Sequence, residues 1–257
     1  MNWAQLYESL GQQLKDGVDL PWWQDAFVGI YKAFFEEDRW QFYLDGVLTT
    51  LWITALALIL GIVLGVVVAV IRTTHDQQRL GRHNPVLGVL NVICKIYVTI
   101  IRGTPMMVQL LIMGFIIFKS SREYTLVGTL TLGINSGAYV AEIVRGGLMS
   151  VDIGQTEAGR SLGLNYLDTM RFIVIPQAFK NILPALGNEF ITLFKDTALI
   201  SAIGGKELVY AAKSIGSKTY DVMYPYLGIA IIYLLMVMLF TWLLGILERR
   251  LRQSDRR

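Results

Sequence analysis

Three clusters of polar side chains interrupt sequence that is otherwise apolar. Arg102, Thr104 and Gln109 form the first, Asn135, Ser136, Tyr139 and Glu142 the second, and Asn188, Glu189 and Thr192 the third. Such donors, acceptors and charges hold a small polar solute by hydrogen bonds and ion pairs. At membrane depth each charge costs about 2.5–3.5 kcal/mol on insertion scales, and such groups usually face a bundle interior or a cavity. Ser136, Tyr139 and Glu142 are spaced three apart and so share one helical face. The clusters fall at a similar height in three apolar segments, the arrangement of a solute pathway. A structural use of the same residues pairs Arg102 with a glutamate such as Glu142, with Ser and Asn tying helices together. Arg102, beside Gly103-Thr104-Pro105, suits the structural role better than the pathway.

Covalent chemistry has no comparable foothold. The sequence contains no HExxH, GxSxG, CxxC or GxxxxGK[ST]. Without a phosphate-cradling loop the chain is not expected to hydrolyse ATP, or to be an enzyme at all. His75 and His83 share a basic loop, have no neighbouring cysteine and are expected to be solvated; no metal site is expected. Cys94 is the only cysteine, so no disulfide can form within the chain.

The elements that must position these clusters are membrane helices. Of 257 residues, 54% are hydrophobic and 17% charged, against about a quarter charged in soluble domains. Residues 51–71 and 227–247 carry no charge, and each is long enough to span a hydrocarbon core, which takes about 20 residues. Val86 to Phe118 is too long for one crossing and too short for two, so a single helix broken near Arg102–Pro105 is expected. Leu126 to Met149 and Ala178 to Leu199 complete five expected crossings. Pro176, Pro184 and Gly187 are poor helix formers that neighbouring helices can accommodate. Gly61 and Gly65 are spaced for close helix packing.

Charge sets the orientation. The loop 72–85 holds three arginines and two histidines against one aspartate, and the tail 248–257 five arginines against two acids. Basic loops stay cytoplasmic, which places the N-terminus outside and the C-terminus inside, in agreement with an odd number of crossings. Residues 1–46 carry three basic and eight acidic residues with aromatics among them. They lack the features of a cleaved signal peptide and read as one or two helices along the membrane surface.

That topology puts Glu157–Pro176 in the cytoplasm. Asp152 or Thr156 can cap a helix start, and Gly163 suits the left-handed position that closes one. The helix expected over about 155–163 is too short to stand alone in water and needs a partner surface, for which Ala158, Gly159 and Leu162 are small or apolar contacts.

Glu157-Ala158-Gly159, Gly163 and Ile173-Val174-Ile175-Pro176 resemble the EAA motif of importer permeases driven by ATP-binding cassettes, in residue type and in spacing. Gly159 replaces the second alanine of that motif and Ile175 its leucine. The runs 97–111, 134–148 and 184–204 resemble the polar amino-acid uptake branch of the family. The resemblance implies an all-α membrane permease of 47–247 with a cytoplasmic coupling helix, in the cell membrane of a bacterium. It implies two ATPase subunits that bind ATP and magnesium, a second permease copy or paralogue, and an external amino-acid-binding protein. No cofactor in this chain and no nucleic-acid partner are expected. Thr104, Pro105, Gln109, Ser136, Tyr139, Glu142 and Asn188 are then the expected substrate-binding residues, and Glu157, Ala158, Gly159, Leu162 and Gly163 the ATPase-coupling ones. Glu142 would hold the ammonium of the amino acid while Thr and Gln donors meet its carboxylate. A secondary transporter, a channel or an assembly subunit would use the polar clusters differently and would have no ATPase.

Overall fold

The computed structural model describes residues 2–78 and 84–253. The expectations for Arg79, Arg82, His83 and the last four residues of the basic tail lie outside them.

Eleven α-helices make up the described residues, with no β-strand among them. They are α1 (Trp3–Lys15), α2 (Trp22–Phe34), α3 (Trp40–Gln77), α4 (Pro85–Gly103) and α5 (Met106–Ile112), which runs into a π turn (Met113–Ile117). Then come α6 (Tyr124–Met149), α7 (Ile153–Ser161) and α8 (Tyr166–Thr169), with a second π turn (Met170–Val174). The chain ends with α9 (Ile175–Asp196), a 3-10 segment (Thr197–Ile203), α10 (Leu208–Thr219) and α11 (Met223–Gln253).

Among the described residues three helices are long and apolar enough to cross a membrane: Glu36–Asp76, Pro85–Gly103 and Met223–Leu251. The other two expected crossings, α6 and α9, are of sufficient length but less apolar. The reason is position. α6 is the centre of the bundle, packed against α3, α4 and α9. Most of its surface meets protein, so small and polar residues replace the leucines that lipid contact selects.

Close approach of α3 and α6 rests on glycines of both helices. A Cβ at Gly61 would lie 2.7 Å from Ser136 Oγ, and one at Gly65 2.6 Å from Val140 Cβ. Facing them, a Cβ at Gly133 would lie 2.6 Å from Leu60 Cδ2 and one at Gly137 3.0 Å from Leu64 Cβ. Both helices therefore use the small-xxx-small spacing that lets backbones meet. Only the α3 half of this pairing was expected from the sequence.

At the N-terminal end of α3, α10 starts from Glu207, which is buried and accepts from the amides of Val209 (2.8 Å) and Tyr210 (2.9 Å). The Tyr233 hydroxyl donates to it at 3.2 Å, and Leu208 N–H donates to Thr50 Oγ1 at 3.3 Å, joining α10, α11 and α3. Burial pushes the Glu207 carboxyl up to about 7, against its hydrogen bonds, which act in the opposite direction.

Candidate functional site

The break after α4 is real and is organised by one side chain. Thr104 is extended and Pro105, which lacks an N–H, precedes α5, so the last carbonyls of α4 have no helical partner. Gln109 is buried and supplies that partner. Its Nε2 donates to the carbonyls of Ile101 (2.8 Å) and Thr104 (3.1 Å) and to Thr104 Oγ1 (2.8 Å). Its Oε1 accepts from Asn135 Nδ2 of α6 at 2.9 Å. An unpaired polar group in such a place costs about 1–3 kcal/mol, which explains why the break and the amide occur together.

Adjacent residues on α6 reach different neighbours. Asn135 meets the break, whereas Ser136 donates to Glu189 Oε1 of α9 at 2.8 Å. Tyr139, 38% exposed, carries the Arg102 guanidinium 5.1 Å from its ring centroid. Thr104, Pro105 and Asn188 are exposed, and the Asn188 amide turns back to the Pro184 carbonyl at 3.2 Å. A groove of about 230 Å³ runs beside the break, lined by Thr104, Gln109, Thr131 and apolar side chains of α4 and α5. Thr104, Pro105 and Gln109 thus form one group joined to α6 through Asn135. Ser136 belongs to a second group with Glu189, and Asn188 sits next to it on α9.

Glu142 lies apart from both. Seven residues along α6 from Asn135 is about 10 Å of rise. There Glu142 pairs with Arg72 of α3 and lies 3.6 Å from Arg145, which in turn lies 3.9 Å from Asp76. The structural pairing expected between Arg102 and Glu142 does not form, because Arg102 is taken by Tyr139 and Glu142 by Arg72. His75 is also not a freely solvated loop residue. α3 continues through it, and its Nδ1 lies 3.1 Å from Asn91 Nδ2 of α4 and 3.7 Å from Asp76. Among the described residues no group of His, Cys, Asp and Glu is placed to hold a metal. Sequence reasoning missed this network because its members sit on three helices with no common spacing. The one available hint was the run of charge at 72–76, inside the apolar-to-basic transition.

The second site is α7. Asp152 caps it, accepting from Gly154 N–H, so the helix starts two residues before the expected boundary and Thr156 is not the cap. It closes with a Schellman motif: Leu164 N–H donates to the Gly159 carbonyl (3.1 Å) and Gly163 N–H to that of Arg160 (3.0 Å). Gly163 has φ +84°, the left-handed value this closure requires. Glu157, Ala158 and Leu162 are exposed, Leu162 at 81%. Gly159 is different: it is buried, and a Cβ there would lie 2.9 Å from Ile173 Cδ1 and 3.0 Å from Thr169 Cγ2. Its missing side chain lets α7 rest on α8 and the π turn that leads to Pro176. Gln177 Nε2 lies 3.3 Å from Gln155 Oε1, a further tie from α9. Ile153 and Leu167 are 75% and 74% exposed, so an apolar rim surrounds the helix.

Residues 85–253 match the family described as the inner membrane component of binding-protein-dependent transport systems. A putative glutamine transport system permease protein of Rickettsia typhi is 34% identical over 213 residues, covering 82% of this chain and 93% of that protein. The arginine transport system permease protein of Bacillus subtilis is 33% identical over 219 residues, covering 83% and 94%. Among solved structures, an amino acid ABC transporter crystallised with histidines superposes with a TM-score of 0.74 at 40% identity, covering 82% of this chain and 94% of that one. The inward-facing MetNI methionine transporter shares the fold, with a TM-score of 0.69 at 20% identity.

Proposed function

The chain belongs to the inner membrane components of binding-protein-dependent transport systems, and from that premise we propose that it is the pathway-forming permease subunit of an ATP-driven amino-acid importer. The relatives named for glutamine and arginine transport support a polar amino acid as cargo. The observation that carries the reading is α7, a nine-residue helix with an exposed face, seated by Gly159 and closed by Gly163, thirteen residues before Pro176. A helix of that length is marginal alone, and its apolar rim suits a partner that completes it.

In this reading the chain crosses the membrane five times, through α3, α4–α5, α6, α9 and α11, with the N-terminus outside and the C-terminus in the cytoplasm. Two cassette ATPase subunits, which bind ATP and magnesium, grip α7 and its counterpart in a second permease chain. Their closure moves the two permeases as rigid bodies between two pathway conformations. An external binding protein delivers the amino acid to the exposed edge of the polar clusters.

The residues divide the work. Thr104, Pro105, Tyr139 and Asn188 meet the amino acid, because their exposed faces are the ones a solute reaches. Gln109 and Ser136 hold those residues in place through the α4 break and through Glu189. Glu142 serves as the anchor of the Arg72–Arg145 network and not as an ammonium ligand, since both of its oxygens face arginines.

The test is uptake in proteoliposomes containing this permease, its cassette ATPase subunits and its binding protein. Uptake of a polar amino acid that requires internal ATP supports the reading. Uptake that is unchanged by ADP alone, or without the ATPase, supports a secondary transporter or channel and rejects it.

A further inference from the structure

Residues 2–39 lie outside the matched family region and form an aromatic hairpin. α1 covers α2 through Tyr7 stacked on Tyr31 (centroids 4.5 Å apart) and Trp3 on Phe27 (5.6 Å). α2 in turn is fixed to the bundle. A Cβ at Gly29 would strike the Tyr224 ring and one at Gly228 the Phe34 ring, so α2 lies directly on the first turns of α11. Lys32 Nζ donates to the Thr219 carbonyl at the end of α10 (2.9 Å), and Arg39 donates to the Lys32 carbonyl and pairs with Glu36 at 2.7 Å. The hairpin is therefore rigidly placed at the level where the membrane-crossing α3 and α11 begin.

Its two faces are unlike. α1 turns Gln5, Glu8, Ser9, Gln12 and Gln13 outward, the face of a water-exposed helix. The other side is an open groove of about 450 Å³ lined by Trp3, Phe27, Ile30, Tyr31 and Phe35, with no charged residue in its lining. Phe35 of this lining stands shortly before α3 in the chain, and Trp40, Leu44, Leu48 and Trp52 of that helix, one of the candidate membrane spans, are exposed. Trp22 and Trp23, 83% and 56% exposed, stand at the far end of α2, where interfacial indoles belong.

We propose that this groove seats phospholipid acyl chains, making the α1–α2 hairpin a lipid-docked brace of the outer ends of α3 and α11. The apolar lining and its place beside the exposed apolar residues at the start of α3, a candidate membrane span, identify the occupant. An amphipathic helix at this level sinks its apolar face about 5–10 Å into the boundary of headgroups and chains. Charge narrows the chemistry further. With three basic residues against eight acidic in residues 1–46, the segment repels anionic headgroups, so the chains and not the charge are recognised.

Nitroxide labels at Ile30→Cys, Phe35→Cys and Glu8→Cys in the complete permease complex, reconstituted in phosphatidylethanolamine vesicles, test this by collision with oxygen and with a water-soluble nickel chelate. The buried Cys94 of the parent chain serves as the background. Labels at 30 and 35 should collide with oxygen and lose nickel collisions, as a Leu48→Cys control does, while the label at 8 behaves in the opposite way. Adding phosphatidylglycerol should leave these values unchanged or weaken the lipid contact. Nickel access at 30 and 35, shielding that appears only when binding protein or a second complex is added, or tighter contact with phosphatidylglycerol would each overturn the proposal. Because labelling can disturb packing, wild-type complex and Ile30→Ser are also compared for thermal unfolding in detergent and in lipid. Lipid should stabilise the wild type more than Ile30→Ser, and equal stabilisation counts against it.

Discussion

Gly163→Asp separates a coupling helix from an ordinary loop, and the structure says how it should act. Open space surrounds the position, since a Cβ at Gly163 meets nothing within 4 Å. A steric clash within the chain is thereby removed. What remains is the backbone: φ is +84°, and a residue with a Cβ there costs about 1–2 kcal/mol. Aspartate adds a negative charge at a helix C-terminus, worth about 0.3–1 kcal/mol more against the helix. The combined loss of about one to three kcal/mol changes a two-state ratio roughly 5–150-fold. In α7 that change falls on two hydrogen bonds, those from Gly163 and Leu164, and so on whether the last turn presents Leu162. The expected order of ATP-coupled uptake is Gly, then Asn, then Ala, then Asp, because asparagine tolerates the left-handed region and alanine lacks the charge. Co-purification of the ATPase should follow the same order, while membrane insertion stays constant. Equal uptake in all four, or asparagine as damaging as aspartate, would refute the conformational argument.

Other expectations follow the same geometry. Gln109→Leu removes the partner of the Ile101 and Thr104 carbonyls and of Asn135, at about 1–3 kcal/mol for each group left unpaired, and should lower the unfolding temperature of the solubilised protein; Gln109→Glu, whose carboxylate can only accept and would face the same carbonyls, should lower it at least as much. Gly65→Val overpacks α3 against Val140 by about 1–3 kcal/mol and should reduce folded yield in the membrane, read by fluorescence-detected gel filtration. Glu142→Gln leaves Arg72 and Arg145 without their carboxylate; both sides are partly exposed, so the loss is about 1–2 kcal/mol, below that of a fully buried pair. It should slow uptake without altering which amino acids compete, whereas changed competition would return Glu142 to the substrate. For Glu207, a folded carboxyl raised to about 7 from 4.5 binds more protons than the unfolded chain between those values. Stability should therefore be highest below pH 4.5 from this group and fall as pH rises to 7. Glu207→Gln should flatten that slope in pH-dependent thermal melts.

Local signals carried far along this chain. The 104–105 break, the Gly163 closure and a cap at Asp152 or Thr156 were visible because each depends on a few neighbouring residues with restricted φ/ψ or a side-chain oxygen in reach. The Gly61–Gly65 spacing was equally legible, but its partners Gly133 and Gly137 belong to a helix whose place in the bundle no local pattern encodes. The same limit hid the Arg72–Glu142–Arg145 network, since ion pairs across helices leave no period in the sequence. It also explains α6, whose modest hydropathy reflects contact with protein. Gly159 shows the limit from the other side. The EAA pattern has alanine there, and only the 2.9 Å approach to Ile173 shows why a bare backbone suits this chain.

The account turns on what α7 touches. A photo-crosslinking residue placed at Leu162, with Ile30 as the control, can be activated in the complex assembled with its cassette ATPase subunits. Adducts between position 162 and the ATPase, diminished by Gly163→Asp and absent from position 30, are the predicted result. Adducts from position 162 to other parts of the same chain alone, with transport intact, would contradict it.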